Sequence, residues 1–312
     1  MSLIQNNFLQ PPFLKKGDKI LFIAPAGVFR DPDALQKAVA WVEDNGWQAE
    51  IHPSVYERFG SFSAPDEARA MMMQEAFERR DVAVIWAVRG GYGSLRIIDR
   101  LDFSPLRHHP KWLTGFSDIT VFHARLFREK IRSLHAWMPV QMSDTLPGAV
   151  LETTASLLKG KPVRISVARD SMNRNEQAIQ GVLTGGNAAT LLSCLTACRL
   201  SFKDAILFLE DTDEHLYALD RIFQSMRRAG IFKQIKALIL GHFTRIKQDN
   251  PPFPYTVKQI VLQAVDNPSL PVFFGFPAGH EPENYPLMMG ANYKISLDTN
   301  RWYLEPLQNH SV

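Results

Sequence analysis

The chain lacks three features that would place it in a special class of protein: many cysteines, a long apolar run, and a basic start followed by an apolar segment. It contains only two cysteines in 312 residues, Cys194 and Cys198, which excludes a disulfide-stapled secreted scaffold and makes a poor zinc site. No apolar run reaches the roughly 18 residues of a membrane span, and the start of the chain has no basic segment followed by an apolar one. We therefore expect a cytoplasmic protein with two buried, reduced thiols and no membrane partner.

Neither sign of charge is in large excess. The net charge is +3, and no block of five or more Lys or Arg residues occurs, so the sequence does not predict a nucleic-acid partner. Hydrophobic residues make up 46% and charged residues 21%, as in an ordinary globular protein. The length allows two domains, each with its own core.

The N-terminal half alternates strands with helices. Apolar runs at 19–24 and 82–88 are typical of buried strands, and amphipathic helices are predicted over 33–45 and 64–80. This alternation predicts a parallel sheet, in which ligands bind at the carboxyl ends of the strands. The loops at Pro25, Gly90 and Ser117 all lie at such ends.

The pattern changes after residue 138. We predict an N-terminal α/β domain over 1–145, a linker over 146–176 and a C-terminal domain over 177–312. In that last domain, strands are expected at 178–184, 205–209, 237–240, 272–276, 293–297 and 302–304. Gly185, Gly186 and Asn187 are predicted to form a turn, which leads into a helix carrying both cysteines.

Ser117 lies in the frame Gly115-Phe116-Ser117-Asp118-Ile119-Thr120, between a predicted strand and a predicted helix. A serine held at that junction projects from the sheet and suits the nucleophile of a hydrolase. The alternative is an ordinary helix N-cap. Asp118 is an equally good cap, so the frame alone leaves both possibilities open.

A serine nucleophile needs a base, and nine histidines compete for that role. His108, His109 and His310 lie in polar stretches, and His123 lies too far along the nucleophile's own helix to reach back. Those remaining in structured contexts are His135, His215, His242 and His280. The sequence around His280, Phe-Pro-Ala-Gly-His-Glu-Pro, brings an apolar strand into a constrained loop, which favours His280.

The third member of such a site is an acid that orients the base. Glu210 ends the apolar run 206–209, and a carboxylate at the end of a buried strand needs a partner. The following acids, Asp211, Asp213 and Glu214, are predicted to be the solvated start of the next helix. An ordinary helix-start role for Glu210 is the alternative.

The segment Arg89-Gly90-Gly91-Tyr92-Gly93 allows three interpretations. It is neither G-x-G-x-x-G nor a P-loop, so phosphate binding is weakly supported. The second interpretation is an oxyanion hole formed by the backbone N–H groups of Gly90 or Gly91, and the third is a plain tight turn.

Six motifs in order resemble the LD-carboxypeptidase family of serine peptidases, which contains murein tetrapeptide carboxypeptidases and microcin C immunity peptidases. The motifs are Ala24-Pro25-Ala26-Gly27, the segment 87–93, the Ser117 frame, Leu183-Thr184-Gly185-Gly186-Asn187, Leu209-Glu210-Asp211 and Pro277-Ala278-Gly279-His280. The resemblance spans residues 15–306. It implies an N-terminal flavodoxin-like parallel-sheet domain and a C-terminal β-rich α+β domain, with the active site in the cleft between them.

The resemblance also implies roles for particular residues. Ser117 would be the nucleophile, His280 the general base and acid, and Glu210 its orienting partner. Backbone N–H groups of Gly91 and Asp118 would form the oxyanion hole. No cofactor or metal is implied, and a homodimer is expected.

The implied reaction is release of terminal D-alanine from a murein tetrapeptide during peptidoglycan recycling. Arg89 is our candidate for binding the substrate's terminal carboxylate, with Gly90 beside it. There are two alternatives. One is a peptide–nucleotide hydrolase of the microcin C immunity type, and the other is a phosphate- or nucleotide-binding protein without activity. The sequence departs from the family at Ala136-Trp137-Met138-Pro139 and in the loop Glu281–Tyr285, and we expect both segments to line the substrate cleft.

Overall fold

The fold is described from a computed structural model, which covers residues 8–143, 146–173, 177–195, 198 and 200–307. The N-terminal strands are β1 Lys19–Ile23, β2 Gln48–Ile51, β3 Val82–Ala87, β4 Trp112–Gly115 and β5 Ser133–His135. The later strands are β6 Ile165–Ala168, β7 Ile179–Asn187, β8 Ala205–Thr212, β9 Ala237–Thr244, β10 Val272–Phe273, β11 Leu287–Met289, β12 Asn292–Leu297 and β13 Arg301–Pro306.

Nine α-helices lie within the described residues. They are α1 Pro32–Asp44, α2 Asp66–Glu78, α3 Ser94–Ile97, α4 Ser104–His108, α5 Thr120–Arg128, α6 Gly148–Leu158, α7 Ala188–Cys194, α8 Leu216–Arg228 and α9 Val257–Val265. A 3₁₀ turn, Ser117–Ile119, precedes α5. None of these helices, within the part of the chain that the structure describes, has both the length and the apolar character needed to cross a membrane.

The first sheet has the strand order β2-β1-β3-β4-β5-β11. Its first five strands are parallel, and their 2-1-3-4-5 order is that of flavodoxin-like folds. The direction of winding reverses between β1 and β3, so a crevice opens at the carboxyl ends of these two strands. The predicted flavodoxin-like sheet is confirmed, and the loops at Pro25 and Gly90 flank this crevice.

The second sheet has the strand order β10-β9-β8-β7-β12-β13-β6. Strands β7 to β10 are parallel, while β12, β13 and β6 add antiparallel pairs. The β-rich second half is therefore as predicted. The domain bounds themselves stay a prediction, and pairing crosses them: β6, from the predicted linker, pairs with β13, and β11 pairs with β5 of the first sheet.

One predicted turn is wrong. Gly185, Gly186 and Asn187 form the carboxyl end of β7, where they pair with Phe208, Leu209 and Glu210 of β8. The glycines are needed because neighbouring atoms are very close: a Cβ on Gly185 would lie 1.8 Å from the carbonyl oxygen of Phe208. A Cβ on Gly186 would lie 2.4 Å from the Thr120 hydroxyl, so β7 packs directly on the start of α5.

Trp137 does not line a cleft, contrary to expectation. It is fully buried, its ring packs 4.6 Å from that of Trp86 and 5.0 Å from that of Trp41, and the Trp86 indole donates to its carbonyl at 2.9 Å. This departure from the family pattern therefore belongs to the hydrophobic core. The predicted helix with both cysteines is shorter than expected: Cys194 ends α7 and Cys198 lies beyond it, both buried and without a disulfide bond.

Candidate active site

Ser117 lies on a strained bend between β4 and α5. Its φ is +62°, a left-handed conformation that costs a non-glycine residue free energy unless the surrounding structure imposes it. Gly115, two residues earlier, has φ +150°, and a Cβ there would lie 3.0 Å from Ile119. The chain therefore turns sharply from strand to helix at Ser117, which is the bend that presents a nucleophile above a parallel sheet.

His280 lies beside Ser117, although 163 residues separate them in the chain. Its Nε2 is 3.0 Å from the Ser117 hydroxyl, and its side chain is 15% exposed. The loop is held by Asn284, which is fully buried and accepts a hydrogen bond from the Gly279 N–H at 3.0 Å. Asn284, in the loop 281–285, therefore holds the backbone of Gly279, the residue before His280.

Glu210 completes a chain of three side chains. It lies near the end of β8, is 0% exposed, and its Oε2 is 2.7 Å from His280 Nδ1. When Nδ1–H donates to this carboxylate, the lone pair of Nε2 is left to accept the hydroxyl proton of Ser117. A Cβ on Gly279 would lie 3.0 Å from Glu210 Oε2, so glycine permits the close approach. The structure thus brings together the three residues that the motifs singled out.

Backbone atoms crowd the nucleophile on its other side. A Cβ on Gly90 would lie 3.1 Å from Ser117 Cβ and 3.3 Å from the Asp118 nitrogen. Gly91 packs against the loop after β1, where a Cβ on it would lie 3.5 Å from Gly27 Cα. The first N–H groups of a helix lack intrahelical acceptors, so the Asp118 N–H at the start of the turn suits an anion. The assignment of Gly91 and Asp118 as oxyanion donors stays a prediction.

Arg89 crosses the crevice between the two loops at the switch point. Its Nη1 donates to the Val28 carbonyl at 3.0 Å, and its Nε lies 3.5 Å from the position of a Cβ on Gly27. Within the described residues, no carboxylate forms an ion pair with Arg89. Its positive charge is thus available to a ligand next to Gly90.

Arg69 is a structural residue of the site that the sequence analysis did not identify. Its guanidinium is fully buried and donates to the carbonyls of Pro25 at 2.7 Å, Gly93 at 3.0 Å and Ala64 at 3.0 Å. It thus ties the loop after β1 to the loop after β3. An arginine inside a surface-like helical pattern gives no signal of this role, because the carbonyls of Pro25 and Gly93 that it joins lie 44 and 24 positions away in the sequence.

His123 does not reach Ser117, but it contacts the strand end that precedes it. It is buried in α5, and its Nε2 lies 2.8 Å from the carbonyl oxygen of Gly115, while Nδ1 lies 2.8 Å from the Ser133 hydroxyl. Burial lowers the pKa of His123 to about 4, so it is neutral at physiological pH. It supports the strand end before Ser117 and does not contact the nucleophile itself.

Asp211 is not solvated, contrary to prediction. It is 2% exposed and accepts hydrogen bonds from the Asn187 side chain at 2.8 Å and the Ala189 N–H at 3.0 Å. Burial, with the neighbouring charge of Glu210, raises the pKa of Asp211 to about 7. The Asn187 N–H also donates to the Thr120 hydroxyl at 3.0 Å. Asp211 therefore anchors a hydrogen-bonded link between the second sheet and the nucleophile's helix.

This carboxyl group predicts a pH-dependent stability. Its folded-state pKa of about 7 lies above the ordinary 3.8, so the folded chain binds more protons between these values and the free energy of unfolding falls as pH rises through that range. In Asp211→Asn this contribution is absent. From about pH 5 to about pH 8, the wild-type free energy of unfolding minus that of the variant should fall by about 3 kcal/mol in urea titrations. A difference that stays constant would contradict this environment for Asp211.

Sequence and structure comparisons identify the family to which this arrangement belongs. The model for the LD-carboxypeptidase N-terminal domain matches residues 20–136, and that for the LD-carboxypeptidase C-terminal domain matches residues 180–295. The chain belongs to the LD-carboxypeptidase family. Both halves of the candidate site lie within these matches: Ser117 in the first, and Glu210 and His280 in the second.

Individual relatives agree with this membership. The chain is 25% identical over 299 residues to the murein tetrapeptide carboxypeptidase of Pseudomonas aeruginosa, covering 91% of this chain and 95% of the relative. The crystal structure of muramoyltetrapeptide carboxypeptidase from Oxalobacter formigenes superposes with a TM-score of 0.84 at 28% identity, covering 93% of this chain and 99% of that one. The microcin C7 self-immunity protein MccF shares the fold, with a TM-score of 0.86 at 18% identity and coverage of 97% and 100%.

Proposed function

We propose that this LD-carboxypeptidase hydrolyses the L,D peptide bond that releases terminal D-alanine from murein tetrapeptides, with Ser117, His280 and Glu210 as its catalytic triad. The observation that carries the proposal is the continuous chain of hydrogen bonds from Glu210 Oε2 through both imidazole nitrogens to the Ser117 hydroxyl. That arrangement supports acyl transfer through a serine.

The chemistry follows from this geometry. Ser117 Oγ attacks the carbonyl carbon of the scissile bond while Nε2 of His280 takes the hydroxyl proton. Glu210 stabilises the imidazolium that forms. The negative carbonyl oxygen is received by the N–H groups of Gly91 and Asp118. His280 then protonates the departing amine of D-alanine, which leaves an acyl-enzyme. Water, deprotonated by His280, releases the shortened peptide, and the proton returns to Ser117.

The assay for this proposal measures D-alanine released from a murein tetrapeptide by the full chain. A matched tetrapeptide that ends in L-alanine controls for stereochemistry, and an aminoacyl sulfamoyl adenosine tests the peptide–nucleotide alternative. Release of D-alanine with little activity on the other two supports the proposal. Hydrolysis of the sulfamoyl adenosine without release of D-alanine from the tetrapeptide would refute it. So would the absence of activity on both of these substrates. Cytoplasmic location and a homodimer are part of the proposal and rest on the family resemblance.

Arg89 is proposed to bind the terminal carboxylate of the substrate. A hydrogen-bonded charge pair of this kind contributes about 1.5–3 kcal/mol, so Arg89→Ala should raise KM about 10- to 100-fold for a peptide with a free C-terminus. A C-terminally amidated peptide should show little change in KM, because it has no carboxylate to lose. Steady-state kinetics on both peptides, with wild type and variant, measure this. An equal loss on both peptides would refute the role.

A further inference from the structure

The side chain of Asp118, the residue that directly follows the candidate nucleophile, is buried. The residue is 4% exposed, and the proposed reaction uses only its backbone N–H. A carboxylate is costly to bury unless it accepts hydrogen bonds. Burial raises the pKa of Asp118, whereas hydrogen bonding to Ser94 and the positive charge of Arg69 lower it. These partners direct attention to the loop after β3, where α3 begins.

The Asp118 carboxylate holds the first residue of α3, which lies 24 positions earlier in the chain. Asp118 Oδ2 accepts the N–H of Ser94 at 2.9 Å, and Ser94 begins α3. Gly93, the residue before this helix, has no side chain with which to cap it. An aspartate usually caps the helix that it precedes in sequence, but this one caps a helix of another segment. Asp118 therefore joins the loop after β3 to the turn that carries Ser117.

Arg69 holds the other end of the same peptide unit. The unit that links Gly93 to Ser94 donates its N–H to Asp118, and its carbonyl accepts a hydrogen bond from Arg69 Nη1 at 3.0 Å. Because a peptide unit is planar, contacts at its two ends fix its orientation. Residues 90–93, which we call the glycine loop, are thus fastened where they lead into α3.

The first peptide unit of the glycine loop is fastened by the loop after β1. The Gly27 N–H donates to the Gly90 carbonyl at 2.9 Å. In a trans peptide the N–H points opposite to the carbonyl, so the Gly91 N–H points away from Gly27. A Cβ on Gly90 would lie 3.3 Å from the Asp118 nitrogen. The glycine loop therefore lies directly against the turn that carries the second proposed oxyanion donor.

The glycine loop needs such fastening because three of its four residues are glycines. Gly91 has φ +91° and Gly93 has φ +141°, conformations that side chains rarely adopt. Glycine has the widest choice of backbone conformations, so local sterics do not set the direction of its N–H. An oxyanion donor must lie about 2.7–3.1 Å from the developing negative charge, and a small displacement loses much of its effect.

We infer that the side chain of Asp118 is a positioning group for the oxyanion hole. Its carboxylate holds the glycine loop, and with it the Gly91 N–H, in register with the N–H of Asp118 itself. The inference rests on the proposed function, in which these two N–H groups receive the oxyanion. The acceptor oxygen does the holding and the negative charge is not required, because asparagine and aspartate cap helices about equally well.

Two substitutions separate the acceptor from the rest of the side chain. Asp118→Ala removes the acceptor and should lower kcat for D-alanine release about 10- to 100-fold. KM should stay within about threefold, because the donors act on charge that develops in the transition state. The apparent pKa of the acid limb of kcat/KM should not move, since His280 keeps its partners. Asp118→Asn keeps an acceptor oxygen, so its kcat should stay within about threefold of wild type.

Asp102→Ala is the matched control. Asp102 is exposed and accepts the N–H of Ser104, the first residue of α4, at 2.8 Å, so it caps a helix of the same sheet domain outside the site. Its kcat should stay within about twofold of wild type. Unchanged kcat in Asp118→Ala, or a rise in KM without a fall in kcat, would overturn the inference. If Asp118→Ala does not fold, a loss of more than tenfold in folded Asp118→Asn would also overturn it.

Fluorophosphonate labelling of Ser117 repeats the test without the murein substrate, because the phosphoryl oxygen takes the place of the oxyanion. Asp118→Ala should be labelled at least tenfold more slowly than wild type, and Asp118→Asn and Asp102→Ala at nearly the wild-type rate. A wild-type protein that is labelled but releases no D-alanine would refute the proposed function alone, and the labelling rates would still decide the role of Asp118. Equal labelling of wild type and Asp118→Ala would overturn the inference.

Discussion

Replacing Ser117 with alanine is expected to lower kcat for D-alanine release by about 10⁴- to 10⁶-fold, the range seen when the nucleophile of a serine triad is removed. The reason is that Ser117 Oγ, 3.0 Å away, is the one hydroxyl among the described residues that is hydrogen-bonded to His280 Nε2. Alanine differs from serine only by the loss of that oxygen, so the left-handed bend at φ +62° is equally accessible to both. Release of D-alanine from tetrapeptide, followed under single-turnover conditions, measures the loss.

Ser193→Ala is the matched control for this experiment. Ser193 is exposed on α7 and donates only to the Ala189 carbonyl within its own helix, at 3.0 Å. Its loss should leave kcat within about twofold, because a surface substitution away from the site rarely matters. If Ser117→Ala retained more than a tenth of wild-type activity while remaining folded, the nucleophile would have to be another group.

Replacing Glu210 with glutamine is expected to lower kcat by about 10³- to 10⁴-fold with a smaller effect on KM. The carboxylate is fully buried, and its Oε2 accepts the Nδ1–H of His280 at 2.7 Å. A neutral amide cannot stabilise the imidazolium that forms when Ser117 gives up its proton, and its NH₂ group can hold the ring in the wrong tautomer. Steady-state kinetics on the tetrapeptide measure both constants.

Two further variants, Glu210→Asp and Asp211→Asn, are the controls for Glu210→Gln. Aspartate keeps the charge but shortens the side chain by one methylene, which lengthens the hydrogen bond to His280. Because the charge remains, kcat should fall less in Glu210→Asp than in Glu210→Gln. Asp211→Asn tests whether any neutralised carboxyl on this strand end has the same effect, and its loss of kcat should be at least tenfold smaller. Equal losses in Glu210→Gln and Asp211→Asn would indicate a general disturbance of β8 and contradict a specific role for Glu210.

The sequence predicted the fold class and the three residues of the candidate triad for a common physical reason. Alternating strands and helices predict a parallel sheet, and polar residues near the carboxyl ends of its strands lie at its functional edge. Ser117 follows β4, Glu210 lies near the end of β8, and His280 lies in the loop after β10. The ordered motifs of the family selected these three from competing alternatives such as a helix cap or another histidine. The 2-1-3-4-5 strand order then explains why Arg89 lies at a crevice.

The residues that sequence reasoning missed act through long-range contacts. Arg69 binds carbonyls up to 44 positions away, and Asp211 receives the Asn187 side chain from a neighbouring strand. Helix spacing predicts that His123 does not reach Ser117, but it gives no sign of its contact with the Gly115 carbonyl at 2.8 Å. Gly185 and Gly186 have the composition of a turn, and only the closeness of Phe208 and Thr120 explains glycines inside a strand.

Covalent labelling with a fluorophosphonate most directly tests the central claim that Ser117 is a nucleophile activated by His280, a residue from the other half of the chain. The account predicts a single adduct on the wild-type protein, located by mass spectrometry to the peptide that contains Ser117. No adduct should form in Ser117→Ala, and labelling of His280→Ala should be slower by at least 100-fold. An adduct on another residue, or undiminished labelling of His280→Ala, would contradict the claim.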